Sequence, residues 1–258
     1  MLLARHPGPI LAARVEMLWY CEGYQAKHSR ERVLPSGRFQ MIIDLAAGAE
    51  RCPGLIVGMR TAYSVIETAG LKSIMGVVFR PGGARGFFER PAEEFRDSHV
   101  PLDEEWGSGV AGLRDRLREA STPVEKLCLL EAELEMRVDA RRRLHGAVQL
   151  GLVEFARAPH ARSVLEVAHE AGLSRRRFAQ LFREQVGLTP KLYCQLRRFQ
   201  KVVHQIATGA PVDWAEVALA GGFCDQAHMA NEFRGFSGLS PGAFLASERP
   251  FRNHVVVD

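Results

Sequence analysis

From residue 163 onward, apolar positions recur at intervals of three and four, and the same arrangement is then written a second time. Val167-Ala168-His169-Glu170-Ala171-Gly172-Leu173 leads to Phe182-Arg183, then to Gly187-Leu188-Thr189-Pro190 and Tyr193. Val217-Ala218-Leu219-Ala220-Gly221-Gly222-Phe223 leads in the same way to Phe233-Arg234, Gly238-Leu239-Ser240-Pro241 and Phe244. The copies lie 50 residues apart before the turn and 51 after it, which marks a repeated structural unit. Between them Tyr193, Leu196, Phe199, Val203 and Ile206 predict an amphipathic helix ending near Thr208-Gly209. Upstream the period changes to short alternating or apolar runs. Arg32 to Gly37, Phe39 to Leu45, Leu55 to Gly58, Tyr63 to Glu67 and Leu71 to Phe79 predict short strands of a small antiparallel sheet or barrel. After Pro81-Gly82-Gly83, helices are expected over Ala84 to Phe88, Ala92 to Arg96, Glu104 to Glu119 and Pro123 to Val138. The last carries a stripe of Leu127, Leu130, Leu134 and Val138 that fits a core or a dimer interface equally well. The predicted class is α+β: an N-terminal sheet or barrel domain with helices over 1–140, a junction at Arg141-Arg142-Arg143, and an all-helical domain over 148–250.

Each C-terminal unit reads as helix, turn, helix. Ser163 with Glu166 is a capping box, small Ala168 lets a second helix approach, and Gly172 suits the left-handed end of the first helix. Ser174 can cap the next helix, with Phe178, Leu181 and Phe182 facing inward and Arg175, Arg176, Ala179, Gln180 and Arg183 outward. The second copy repeats this with Asp213 and Glu216, Gly222, and inward Met229 and Phe233. It leaves Asp225, Gln226, Ala227, Ala230, Asn231 and Arg234 outside. Gly-Leu-Thr-Pro and Gly-Leu-Ser-Pro end one helix and start the next, and His228 reads as a packed or capping side chain. A stiff connecting helix of about 16 residues spans roughly 24 Å. With the width of each unit, that can present two helices to successive major-groove faces ~34 Å apart.

Residues 148–248 resemble the two-motif DNA-binding domain of the AraC/XylS family of bacterial transcription regulators. The likeness is carried by Ala220-Gly221-Gly222-Phe223, Asp225-Gln226, His228, Phe233-Arg234, Gly238 and Ser240-Pro241 in the second motif and their counterparts in the first. It implies that Arg176, Ala179 and Gln180, and then Gln226, Ala227, Ala230 and Asn231, face bases, while Arg175, Arg183 and Arg234 contact phosphates. Arginine can fork to guanine or phosphate, and Gln180, Gln226 and Asn231 can pair with adenine. The alanines in the second motif leave it fewer base contacts, so it is expected to position more than it specifies. Double-stranded DNA and RNA polymerase are the implied partners, with a homodimer and a small-molecule effector open. The expected place is the cytoplasm.

Composition changes little. The 258 residues can fill two cores at 47% hydrophobic content, and of a net charge of +4 the segment 148–249 carries +3, from 12 Lys/Arg against 9 Asp/Glu. No apolar run is long enough for a membrane span. Five cysteines, at 21, 52, 128, 194 and 224, form no CxxC pair, and the nine histidines show no HExxH spacing, so neither a disulfide framework nor a metal or other cofactor is expected. No phosphate loop, dinucleotide fingerprint or GxSxG is present, and the chain reads as non-enzymatic. Two alternatives are a repair-type fusion delivering a reactive cysteine and an architectural DNA binder without a sensor role.

The front half resembles the sensing domain of one branch of AraC-like regulators through Leu34-Pro35-Ser36-Gly37, a strand ending in Asp44, the lone Gly58, and Gly76 to Ala84. An effector-binding or protein-interaction role follows from that resemblance. Trp19, Arg38, Asp44 and Arg80 are the candidate pocket residues. Arg80 beside Gly82-Gly83 is a possible cradle for an anion, against a plainer reading as a strand-to-helix turn with a surface arginine.

Overall fold

The computed structural model describes residues 1–24, 27–46, 54–68, 72–157, 162–207 and 212–257. Thr208-Gly209, Cys52 and Leu71 lie outside the described residues.

The N-terminal region is built on strands β1 (Leu2–Arg5), β2 (Val15–Glu22), β3 (Arg30–Val33), β4 (Gln40–Asp44), β5 (Gly54–Val57), β6 (Ser64–Glu67), β7 (Ser73–Phe79) and β8 (His99–Pro101). Six of them form an antiparallel sheet in the order β1-β2-β7-β4-β5-β8, with Trp19 opposite Gly76 and Gly76 opposite Ile42. One face, with Leu18, Tyr20, Met41, Ile43, Met75, Val77 and Phe79, is buried. It is covered by Phe87, Phe88 and Phe95 and by helices α1 (Asp103–Trp106), α2 (Gly109–Glu119) and α3 (Pro123–Arg137), and α3 packs on β2.

Several sequence expectations are corrected here. The helix expected over Glu104 to Glu119 is broken at Gly107, whose φ of 66° only glycine adopts readily. The helices expected at Ala84 to Phe88 and Ala92 to Arg96 are short 3₁₀ turns, Gly83–Gly86 and Ala92–Phe95. The strand expected through Arg32 to Gly37 stops at Val33, since Pro35 cannot donate to a ladder. β1, β2 and β8 were not separated from their surroundings by alternation alone. The ambiguous stripe on α3 is core: Leu127, Leu130 and Leu134 are fully buried. Thr122 caps that helix in a reciprocal box with Glu125, Pro123 following.

Beyond the junction come α4 (Gly146–Arg157), α5 (Val164–Glu170), α6 (Arg175–Val186), α7 (Pro190–Ile206), α8 (Trp214–Gly221), α9 (Gln226–Ser237) and α10 (Pro241–Ala246). Phe155, Phe178, Phe182 and Tyr193 pack ring against ring in the first unit, and Phe199, Phe233, Phe236 and Phe244 do so in the second. Each such buried ring contributes on the order of 2–3 kcal/mol of transfer free energy. The α+β class is observed: an antiparallel-sheet domain followed by a helical one. Among the described residues no helix is long and apolar enough to cross a membrane.

The two halves share one continuous core and a polar seam. A last strand, β9 (His254–Val256), returns to the front of the molecule and pairs with β3, which also pairs with β6. There His254 and His28 bond the buried Glu31 carboxylate, at 2.6 and 2.7 Å, and the Tyr24 hydroxyl donates to the same group. Arg142, from the junction run, donates to the Phe88 carbonyl at 2.9 Å, and Gln200 of α7 donates to the Pro35 carbonyl at 2.7 Å.

Candidate nucleic-acid interface

Both helix-turn-helix units are punctuated as their sequences require. In the first, Ser163 and Glu166 close a capping box on α5, Gly172 turns the chain at φ 69°, and the Ser174 hydroxyl accepts the Arg177 amide to start α6. In the second, Asp213 accepts the Ala215 and Glu216 amides, Gly222 turns at φ 75°, and Asp225 accepts the His228 amide at 2.7 Å to start α9. Gly187 and Gly238 end α6 and α9 in the left-handed region, at φ 94° and 70°. Thr189 and Ser240 cap the helices that follow.

These caps fix which faces of α6 and α9 are free. On α6, Phe178, Leu181, Phe182, Gln185 and Val186 are buried, Arg175, Arg176, Arg177 and Gln180 are exposed, and Ala179 is half-buried. Arg175, Arg176, Ala179, Gln180 and Arg183 come together along one open groove of about 720 Å³. Two carboxylates that sequence reasoning did not select share that groove, Glu184 and Glu93. The Gln180 amide nitrogen donates to Glu184 one helical turn on at 2.8 Å, which leaves its second N–H and its carbonyl oxygen for a ligand. Arg183 donates through Nε to Glu93 at 3.2 Å. No pattern near Ala92-Glu93-Glu94 shows where that turn docks, so its place in the groove is a product of the tertiary fold.

On α9, Gln226, Ala227, Asn231 and Arg234 are exposed and Ala230 is half-buried. The helix is welded to α7 from behind. Glu232, 7% exposed, accepts from Arg198 at 2.7 Å and from Gln195 at 3.2 Å, and the Arg198 guanidinium lies over the Phe223 ring. His228 meets the Phe223 ring at right angles, with its side chain 42% exposed. The connecting helix α7 has 17 residues, with Tyr193, Leu196, Phe199, Val203 and Ile206 all buried.

The four candidate effector residues, Trp19, Arg38, Asp44 and Arg80, fall on β2, before β4, at the end of β4 and after β7. Arg38 precedes β4 and Asp44 ends it, at opposite ends of a strand about 13 Å long at ~3.3 Å per residue. Arg38 is ion-paired with Glu16, and its neighbour Gly37 faces Leu196 of α7. Arg80 donates to the Ala12 carbonyl at 2.8 Å. The glycine pair beside it is no anion cradle, because a Cβ on Gly83 would stand 2.0 Å from the Arg14 carbonyl oxygen and that acceptor fills the space. Trp19 and Asp44 do share the face of the sheet opposite the core, with the Trp19 ring lying over Gly76.

Burial pushes the Cys194 thiol up to about 11 and raises that of Cys21, so both are protonated at neutral pH and neither is an activated nucleophile. Among the described residues no group of three or more His, Cys, Asp or Glu side chains is placed to hold a metal.

Comparison with known proteins gives one family match in each half of the chain. Residues 167–247 match a family described as a helix-turn-helix domain, and residues 4–101 match a domain family of unknown function, DUF6597. No curated protein matches the chain. A transcriptional regulator from Chromobacterium violaceum, of the AraC-type DNA-binding domain-containing proteins, is 20% identical over 41% of this chain and 95% of its own, with a TM-score of 0.36. The C-terminal domain of AraT, a response regulator from Geobacillus stearothermophilus, is 17% identical over 39% and 84%, with a TM-score of 0.36. ToxT from Vibrio cholerae is 10% identical over 95% of this chain and 96% of its own, with a TM-score of 0.44. The helix-turn-helix family thus matches over most of the doubled unit that the sequence repeat and its caps define.

Proposed function

We propose that this regulator is a sequence-specific transcription factor, an activator acting in the cytoplasm, whose helices α6 and α9 read adjacent major-groove segments. The observation that carries the reading is the open groove on α6, where Arg175, Arg176, Ala179 and Gln180 converge on a capped helix held rigidly by its aromatic core. Arg176 and Gln180 can fork to guanine and adenine edges, Ala179 admits close approach, and Arg175 and Arg183 reach phosphates. In α9, Gln226 and Asn231 supply the base contacts, Ala227 and Ala230 the close approach, and Arg234 a phosphate contact. A 17-residue α7 is about 26 Å long, a spacer of the right order for two groove faces ~34 Å apart once the width of each unit is added.

In this reading residues 1–140 form the controlling domain and 148–250 the DNA-binding one, with RNA polymerase as protein partner. Homodimerisation and a small-molecule effector belong to the controlling domain, and Trp19 and Asp44 mark the sheet face for the latter. The reactive-cysteine alternative draws no support from Cys21 or Cys194, which are buried and protonated; Cys128 and Cys224 are exposed. The architectural alternative is disfavoured by the convergence of base-reading side chains on α6.

Selection of duplexes from a random library by the full-length chain, followed by salt titration, tests the proposal. The expected site has two adjacent elements and a preference of at least about 10³ over random DNA. Arg176→Ala or Gln180→Ala should weaken the selected site by about 1–3 kcal/mol while leaving random DNA nearly unchanged. If Arg176→Ala left the ratio of specific to random affinity intact, α6 would not be the reading helix.

A further inference from the structure

Arg183 and Arg234 hold the same place in the two copies. Each follows the phenylalanine buried in its recognition helix and precedes the left-handed glycine by four residues. Their surroundings differ. Arg234 is exposed and makes no ion pair among the described residues, whereas Arg183 is engaged by Glu93, a residue 90 positions earlier in the chain. Glu93 lies in the Ala92–Phe95 turn, which is seated on the end of α6. A Cβ on Gly187 would stand 3.0 Å from the Ala92 carbonyl oxygen and 3.3 Å from the Met59 side chain. That seat places a carboxylate in the groove lined by Arg175, Arg176 and Gln180, where a nucleic-acid phosphate would enter.

We propose that Glu93 is a built-in stand-in for a DNA phosphate: it occupies the Arg183 guanidinium in the free protein, and an incoming duplex must displace it. The contact between the turn and α6 is therefore autoinhibitory. This rests on the assignment of α6 as a reading helix. Carboxylate and phosphate offer a guanidinium the same geometry of acceptor oxygens, so the exchange of one for the other is chemically like for like. Both partners are over a third exposed, 38% and 36%, so the pair is weak enough for DNA to break. Any event in the N-terminal domain that moves the turn changes the competition and hence DNA affinity, since what favours the open arrangement favours the one DNA binds. Arg234, the repeat-related arginine without a carboxylate, serves as the internal control.

The test uses the full chain with a fluorescently labelled selected duplex and a random duplex, measured by anisotropy for the parent, Glu93→Gln, Arg176→Ala, Arg183→Ala and Arg234→Ala, and for Glu93→Gln combined with each of the last two. Glutamine is nearly isosteric, so the turn keeps its seat while the charge is lost. Glu93→Gln should bind both duplexes about 2- to 5-fold tighter, the range expected for an exposed ion pair. Arg183→Ala should bind both more weakly, and in that background Glu93→Gln should bring no gain. Arg234→Ala should leave the Glu93→Gln gain intact. A gain of equal size in the Arg183→Ala background, or no gain in either, overturns the proposal while leaving α6 as the reading helix. If Arg176→Ala and Arg183→Ala both bound DNA like the parent, the assignment of α6 would fall and this inference with it.

Discussion

Gly58 follows β5 where the chain meets the Ala92–Phe95 turn, and a Cβ there would stand 1.7 Å from the Phe95 carbonyl oxygen and 2.4 Å from its carbon. Both are backbone atoms, so no rotamer change relieves the clash and the turn itself must move. Gly58→Ala is expected to destabilise the protein by about 3 kcal/mol or more, at the upper end of overpacking costs, as read by urea unfolding. Unchanged stability would show that the turn yields freely. The same turn presents Glu93, so this substitution should also disturb the Arg183 contact, which links a packing defect to the exposed face of α6. The sequence marks Gly58 as a lone glycine after an apolar run, yet its partner, the Phe95 backbone, is 37 residues away and invisible to local pattern. Ala168 and Gly172 were legible because their reasons are local: a close helix approach and a left-handed turn.

At the scale of the element, the helix-turn-helix units were readable almost to the residue, since caps, left-handed glycines and inward apolar positions all act within about one turn. That locality makes the caps separable. Asp225→Ala removes the acceptor of the His228 amide and should cost about 1 kcal/mol. For a chain of this size that corresponds to a thermal transition lower by about 2–4 °C. Weakened DNA binding through α9 should accompany it while α6 keeps its preference. An unchanged transition would mean that packing through Glu232 and Phe233, and not the cap, starts α9. The strands were less legible. β2 carries Trp19 and Tyr20 on opposite faces with both at least half-buried, so the two-residue alternation that marks a one-sided strand is blurred. Runs as short as Gly83–Gly86 and Ala92–Phe95 do not distinguish a 3₁₀ turn from an α-helix.

Across the whole molecule, the N-terminal domain holds the ends of both α6 and α9. At the first, Gly187 sits against Ala92 and Met59. At the second, Arg32 donates to the Ser237 carbonyl at 2.8 Å, Tyr63 donates its amide to the Phe236 carbonyl at 2.9 Å, and Gly238 lies against the Tyr63 ring. The strand β9 completes this grip through Glu31. Burial alone would raise that carboxyl, but hydrogen bonds from Tyr24, His28 and His254 outweigh it and hold it below its ordinary value. A depressed carboxylate contributes stability that is present above its unfolded value of about 4.3 and lost as pH falls through the folded one. Glu31→Gln should therefore cost about 2 kcal/mol at pH 7, with the deficit shrinking below about pH 4. Urea unfolding across that range, with hydrogen exchange at Val255 and Val256, reads it, and a pH-independent deficit would assign the effect to packing. By itself the sequence determined the α+β class, the doubled helix-turn-helix and the residues exposed on α6 and α9, because caps, turns and helical periodicity are short-range. Only the tertiary structure decided that β9 returns to β3 and that Glu93 meets Arg183. Those pairings join residues far apart in the chain, and what brings them together is burial of a shared core, which local pattern does not encode.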